Sequence, residues 1–389
     1  MRNIVLIFGG ESAEREVSII TAFQLEKMCD RAKYNLIPVL VDENKKMFWC
    51  KNGVNIKECT KPQPFSKSYK LIQFGLGGMW LCGKKKLKKV CDVDLALIAC
   101  HGGVGENGEF VAKLNFDGIK TSVGGPEALE IAMDKWLTKC VMKNCGVDVV
   151  FGRCIFENDW NDNRQNVLKQ IEEVGYPVIV KPARQGSSVG IGIAKSEKEI
   201  LNLVELAFEF DNKIVVEKAI ENFREYNISV LKSESECLVS GIEEAVKTGD
   251  FLSFEDKYLS GTKGCDLKKL LPKTKKISGL DAFCGQKLCK MQHFGMDNMG
   301  RQMAENLPKK VENKIVEFAK KATTELELYG VVRIDFLVDE FDNVFLNEIN
   351  SVPGSLAYYF WPKINFFDKL VEVGLCSTIV KSGVIAKFL

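Results

Sequence analysis

VVRIDFLVDEFDNVFLNEIN, residues 331–350, decides the reading of this chain. Two apolar, β-rich runs flank the polar turn Glu340-Phe341-Asp342-Asn343, which predicts a β-hairpin. Side chains alternate faces along a strand, so Arg333 and Asp335 share one face, and Glu348 and Asn350 share another. A loop over 340–343 pairs position 339 with 344, which sets Asp335 opposite Glu348 and Arg333 opposite Asn350. One hairpin face then carries a cation, two carboxylates and an amide, while Ile334, Phe336, Phe345 and Ile349 point into a core. Directly opposed carboxylates repel. Two arrangements remove the repulsion. Arg333 satisfies both acids on a solvated outer face, or a metal sits between them, and oxygen ligands at this density suit Mg²⁺ that keeps waters and bridges nucleotide phosphates. A register slip of a single residue would move the whole set to the other face.

At 389 residues the chain is too long for one ordinary core, so two or three domains are expected. Its 54 basic and 52 acidic residues nearly cancel, which gives no reason to expect nucleic acid or an anionic membrane as partner. No apolar run approaches the length of a membrane span. The start, MRNIVLIFGGESAERE, reads as a first strand rather than an export signal. The 14 cysteines are therefore expected as reduced thiols in a cytoplasm, with Cys100 and Cys140 among the buried ones. With 2 histidines, a histidine metal centre or a Ser-His-Asp triad has little material.

From the N-terminus, residues 3–8 form an apolar strand, Gly9-Gly10 a tight turn and Ser12 a candidate helix cap, with Val17, Ile20 and Leu25 on one helix side. Strands follow at 36–41 and 94–99 with a lysine-rich connection between them. This is an open α/β pattern whose ligand groups gather at the strand ends. Glu14 lies after the first strand and HGGVGENG, with His101 and Glu106, after the third. That glycine-rich loop is either a close-approach ligand loop or a mobile turn with a solvated histidine. A single amphipathic helix is expected over 127–144 and another over 166–174. In YPVIVKPARQGSSVGIGIA, residues 176–194, strand, turn and strand carry Lys181 and the small donors Gly186, Ser187 and Ser188, which can cradle phosphate. The strand 213–220 ends near Glu217 and Glu225, acids that take an amine or a ribose hydroxyl or are simply solvated. Residues 261–307 read as a surface excursion, with Cys265, Cys284, Cys289 and His293 as a less favoured zinc reading. Helices are expected at 307–328 and 366–373 around the hairpin.

Together these segments resemble the D-alanine–D-alanine ligases of the ATP-grasp superfamily. The resemblance runs from residue 3 to about 373, excepting roughly 44–90 and 263–298. It rests on GGESAEREVS, HGGVGENG, MDK, YPVIVKPARQGSSVG, VVEKAIENFREYNISVL, EDKYLSG, RIDFLVD and NEINSVPGS in one order. It implies an α/β chain of three-domain ATP-grasp architecture. Residues 1–125 would be a Rossmann-like N-terminal domain at the D-alanine site, 126–217 a central lobe, and 218–389 a C-terminal lobe with closing loop and hairpin. It implies Mg²⁺, or Mn²⁺ in its place, on Asp335, Glu348 and Asn350. Lys135 and Lys181 would hold ATP phosphates, Glu217 the adenine, Glu225 the ribose, and Lys257 the closing loop. Arg333 would stabilise an oxyanion, and Glu14, Ser187 and Tyr258 would form a linked trio that positions the substrates. His101, with Glu106, Ser188, Gly354, Ser355 and Tyr359, would fall on the substrate side.

The implied chemistry is activation of one D-alanine carboxylate as an acyl phosphate with release of ADP, then attack by a second D-alanine's amine, in peptidoglycan precursor synthesis. Tyr359 stands where many members carry serine, Asn107 where Asp is common and Val111 where Gln is common. Tyr258, rather than Phe, is similar to the enzymes that make a peptide bond instead of the D-lactate ester. D-serine or D-lactate as second substrate, and an inactive nucleotide-binding regulator, are the alternatives. The resemblance also implies a cytoplasmic homodimer.

Overall fold

The computed structural model describes residues 1–61, 65–186, 189–245 and 301–376. Ser187, Ser188, Lys257, Tyr258 and the whole of 263–298, including the zinc reading on Cys265, Cys284, Cys289 and His293, lie outside them. The described strands form three sheets.

The first sheet begins with β1 (Arg2–Gly9), β2 (Tyr34–Val41), β3 (Met47–Cys50) and β4 (Tyr69–Gly75). It continues with β5 (Gly78–Cys82), β6 (Leu87–Asp92) and β7 (Leu95–Ile98), in the order β6-β5-β4-β3-β2-β1-β7. β1 is parallel to both β2 and β7, and its continuous apolar run is covered on both faces, as a central parallel strand requires. The supposed lysine-rich connection is itself β3–β6, an antiparallel meander, so the sheet is mixed. These strands show one face to solvent, and their lysines and glutamine masked the alternation that β4 displays in its burial. The helix Arg15–Met28 buries Val17, Ile19 and Leu25, and Ile20 sits at its margin.

The second sheet holds β8 (Gly152–Phe156), β9 (Val178–Pro182), β10 (Gly192–Ala194) and β11 (Lys213–Lys218), in the order β10-β9-β11-β8. The third holds β12 (Arg224–Lys232), β13 (Cys237–Ala245), β14 (Arg301–Met303), β15 (Gly330–Val338) and β16 (Val344–Asn350), in the order β14-β13-β12-β15-β16. Both are antiparallel at every described pairing. One apolar core is continuous through the first and third sheets, and a separate one backs the second.

The single helix expected over 127–144 is two, Pro126–Met133 and Lys135–Asn144. Asp134 breaks it: its backbone is extended, and its carboxylate accepts the N–H groups of Trp136 and Leu137, both at 3.0 Å. An Asp whose side chain can bond free N–H groups starts a helix more readily than it continues one. The break places Lys135 on a first turn, its N–H bonded to the Ala183 carbonyl at 2.9 Å. The second helix turns Thr138, Lys139 and Met142 inward, which leaves Cys140 half-buried rather than buried. Cys100 is buried, as expected. No helix among the described residues is long and apolar enough to cross a membrane.

The hairpin pairs Arg333 with Asn350 and Asp335 with Glu348, the expected register. Its turn nonetheless closes differently from the reading of the sequence, with the Asp339 N–H bonded to the Asn343 carbonyl at 3.1 Å. Val338, not Asp339, pairs with Val344, and a bulge between Asp335 and Phe336 absorbs the difference opposite Asn347. The bulge also corrects the core assignment: Leu346 is fully buried while Phe345 lies at the margin. Leu346→Ala is therefore expected to cost roughly 2–5 kcal/mol of stability in denaturant unfolding, more than Phe345→Ala. The reverse ranking would restore the unbulged pairing.

Candidate active site

Every residue of β15 is buried, so the hairpin face is not a solvated outer surface. Arg333 donates from Nε and Nη2 to the two Asp335 oxygens, each at 2.7 Å, and Asn350 Nδ2 donates to Asp335 Oδ2 at 3.2 Å. Burial works against the guanidinium charge, but Asp335, with help from Tyr359 and Glu348, outweighs it and holds Arg333 well above its ordinary value. Removing Asp335 would thus strand a buried cation.

Across from this face, β9 and β11 present Lys181 and Glu217. Lys181 Nζ lies 3.1 Å from Glu217 Oε2 and 3.2 Å from Asn347 Oδ1, the side chain that the hairpin bulge turns out of the ladder. The other Glu217 oxygen faces Lys139 Nζ at 3.3 Å, an ion pair without hydrogen-bond alignment. Burial alone would raise the Glu217 carboxyl, but Lys139 and Lys181 overcome it and hold it below the usual range. Lys135 Nζ donates to the Gln185 carbonyl at 2.6 Å, at the stem of the serine-glycine loop. Lys139 and Asn347 were missed from sequence. The first follows Lys135 by one helical turn and could have been found. The second depends on a bulge that no local pattern announces.

The first sheet supplies the third wall through the loops after β1 and β7. The Ser12 hydroxyl is not the expected helix cap: it donates to the His101 carbonyl and accepts the Glu14 N–H. Gly102 has a left-handed φ of 66° and packs so closely that a Cβ there would lie 3.0 Å from the Ser12 Cβ. From the opposite side Gly186 approaches the Glu14 carboxylate, where a Cβ would come within 3.3 Å of both oxygens. Glu106 accepts N–H groups of Gly102 at 2.9 Å and of Val352 at 3.2 Å. Burial, reinforced by Glu14, raises its carboxyl to about 7.

His101 is buried, not solvated. Nδ1 donates to the Val352 carbonyl at 2.7 Å, which leaves Nε2 to accept from the Thr21 hydroxyl at 2.8 Å. Thr21 Oγ1 in turn accepts the Ser355 N–H at 3.1 Å. Burial lowers the His101 pKa, in keeping with the neutral ring that this chain of bonds needs. The chain ties the first sheet to the segment after the hairpin, where Ser355, Leu356 and Ala357 all have left-handed φ near 50°. Such residues cost about 1–2 kcal/mol each, offset here by burial of Leu356 and Ala357 and by the tether.

These walls line one polar cleft. Glu14, Glu106, Lys135, Arg333, Glu348 and Asn350 line it. Asp335 and Lys181 are outside that lining but bond residues in it, Arg333 and Asn347, and Glu217 bonds Lys181; His101, Gly354, Ser355 and Tyr359 are not in the lining either. Glu225, the second residue of β12, is half-buried and opposite Leu337, and is not in the lining of the cleft. All cysteines among the described residues are free thiols.

Two antiparallel sheets that close lysines and a carboxylate hairpin around one polar cleft, with a Rossmann-like sheet as the third wall, define an ATP-grasp ligase. The solved structures agree in fold. A D-Ala:D-Ser ligase from Enterococcus faecalis superposes with TM-score 0.73 at 21% identity, covering 96% of this chain and 99% of that one. A D-alanine–D-alanine ligase from Helicobacter pylori gives 0.68 at 24% identity, with 97% and 99% covered. The D-ala D-ala ligase N-terminus model matches residues 3–122, and the D-ala D-ala ligase C-terminus model matches 141–278 and 289–368. A D-alanine–D-alanine ligase of Thermosipho melanesiensis is 34% identical over 384 residues, covering 96% of this chain and 94% of the relative. One from Campylobacter jejuni is 32% identical over 362 residues, with 92% and 89% covered. The chain belongs to the D-alanine–D-alanine ligase family and is an ATP-dependent ligase. The match corrects the extent read from sequence: it runs through 44–90, and within 263–298 it omits only 279–288.

Glu106 gives a pH test. Its folded-state pKa is raised, so the folded chain binds the extra proton between the ordinary carboxylate range and about 7, and stability falls as pH rises through that window. Glu106→Gln removes the titration, at the expense of one accepted N–H bond. Unfolding free energy measured at pH 5 and pH 8 should differ less in the variant, by about 3 kcal/mol if the whole shift is expressed. An unchanged slope would contradict a carboxylate buried between Gly102 and Val352.

Proposed function

We propose that the chain joins two D-alanines into D-alanyl-D-alanine for peptidoglycan precursor synthesis, with the residues of this cleft in the following roles. Lys135 and Lys181 bind the ATP phosphates. The first D-alanine carboxylate attacks the γ-phosphate to give an acyl phosphate and ADP. The second D-alanine's amine attacks the acyl carbon, and phosphate leaves. Phosphoryl transfer needs positioning and charge more than a covalent nucleophile, and the cleft offers both. Arg333 uses Nε and Nη2 on Asp335, which leaves Nη1 for the oxyanion that develops at the acyl carbon. Glu14, beside Gly186 at the mouth of the serine-glycine loop, takes the first D-alanine's ammonium. By family resemblance, Ser187 and Tyr258 are assigned to the positioning trio and Lys257 to the γ-phosphate, where shielding from water would protect the acyl phosphate. Glu217 and Glu225 serve the adenine and ribose. His101 acts on the second substrate indirectly, by fixing the segment that carries Gly354, Ser355 and Tyr359, while Glu106 and, by family resemblance, Ser188 are assigned to substrate binding.

Asp335, Glu348 and Asn350 fit Mg²⁺ by donor chemistry. They are hard oxygen ligands, in register across one strand pair. Among the described residues no group of three or more acids, histidines or cysteines gathers into an all-protein metal cage. That suits an ion taking one or two carboxylates plus nucleotide phosphates. When bound, Mg²⁺, or Mn²⁺ in its place, would neutralise phosphate charge. We assign 1–125, 126–217 and 218–389 as the three domains, a homodimer as the assembly and the cytoplasm as the location. The inert regulator has no observation in its favour.

The observation that carries the roles is the convergence of Glu14, Lys135, Arg333, Glu348 and Asn350, from separate parts of the chain, on one cleft. Purified protein with ATP, Mg²⁺ and D-alanine should release ADP, phosphate and dipeptide, and should favour D-alanine when D-serine or D-lactate competes at neutral pH. ATP turnover unaffected by D-alanine would sink the assignment. Arg333→Ala should lower turnover roughly 10²–10³-fold, the scale for losing one oxyanion donor. Retained activity would remove Arg333 from the chemistry.

A further inference from the structure

Lys139 has no part in the roles above, yet it is 3% exposed, and a lone lysine is costly to bury. Its contacts are the Glu217 carboxylate at 3.3 Å and the Val150 carbonyl at 3.3 Å, and it does not line the cleft. Lys181 holds the other Glu217 oxygen, and its remaining contact is a neutral amide, Asn347. Lys135 stands one helical turn before Lys139, on the cleft wall. Two cations, Lys139 and Lys181, thus meet one anion. The neighbouring pair Lys213–Asp134, at 2.7 Å, closes on itself and adds no net charge.

We infer that Lys139 is a positioning residue for the nucleotide's polyphosphate: by neutralising Glu217 it leaves the charge of Lys181 available to phosphate oxygens. Without Lys139, Glu217 and Lys181 form a closed pair with no surplus charge. With Lys139, the carboxylate is shared and the three groups keep a surplus of one positive charge to set against phosphate. The low dielectric of the buried site makes the difference felt at the ligand. The inference rests on the reading of the cleft as a nucleotide site, but it concerns how phosphate is held, not whether dipeptide is made.

The test separates charge from scaffolding. Dissociation constants for ADP and for adenosine are measured by calorimetry on the full chain, for wild type, Lys139→Met and the double variant Lys139→Met/Glu217→Gln. Lys139→Met should weaken ADP roughly tenfold or more while adenosine changes less than about twofold. The double variant removes the anion together with its cation; because Glu217 is assigned to the adenine, ADP and adenosine weaken together, and it is their ratio, not either constant, that should return close to that of wild type. In steady state the KM for ATP should rise in Lys139→Met with the KM for D-alanine unchanged. Equal weakening of ADP and adenosine, unchanged ADP binding, or a double variant no better than the single would each overturn the role. If Lys139→Met fails to fold, the double variant decides alone: a wild-type-like preference supports the role and a lost one overturns it. Wild-type protein that binds ADP but makes no dipeptide would overturn the ligase reading, while the same ratio still judges Lys139.

Discussion

A guanidinium and a carboxylate two residues apart on one buried strand hold the rest of this site in place. Arg333 and Asp335 leave the ladder on the same side because a strand alternates, and at 2.7 Å on both oxygens they compensate each other where water cannot. The pair is charged but internally neutral. Glu348, opposite Asp335, is then the acid left to the cleft, and Asn350 bridges back to Asp335. A hairpin without this arrangement would bury like charges face to face.

The second constraint is segregation of sign. The lysines come from the sheet and helices around Lys181, while the acids Glu14, Glu106 and Glu348 come from the first and third sheets. A ligand carrying an anionic end and an amine end can satisfy both sides at once, and a nucleotide beside an amino acid is such a ligand. The tether from His101 through Thr21 to Ser355 makes this geometry rigid across sheets that share one core. The elements that supply charge are thereby fixed by elements that supply none.

Much of this was legible in the chain. Period-two alternation put Arg333, Asp335, Glu348 and Asn350 on shared faces, and the glycine-rich loops after two apolar strands marked where ligands gather. What failed did so for physical reasons. The bulge at Asn347 was invisible because the hydrophobic pattern fits either turn length until tertiary pairing chooses. Asp134 looked like one polar position in a continuous helix, since both halves bury apolar faces and only its capping bonds interrupt them. The meander of β3–β6 hid behind lysines because its outer face is wet. The burial of His101 depended on partners 80 and 251 residues away, beyond any local reading.

The most direct measurement is a crystal structure with ADP and Mg²⁺ bound. The account predicts a metal within about 2.1 Å of oxygens from the Asp335, Glu348 and Asn350 set, with the terminal phosphate approaching Lys181 and Lys135. A nucleotide seated elsewhere, with the Arg333 face holding neither metal nor phosphate, would contradict it.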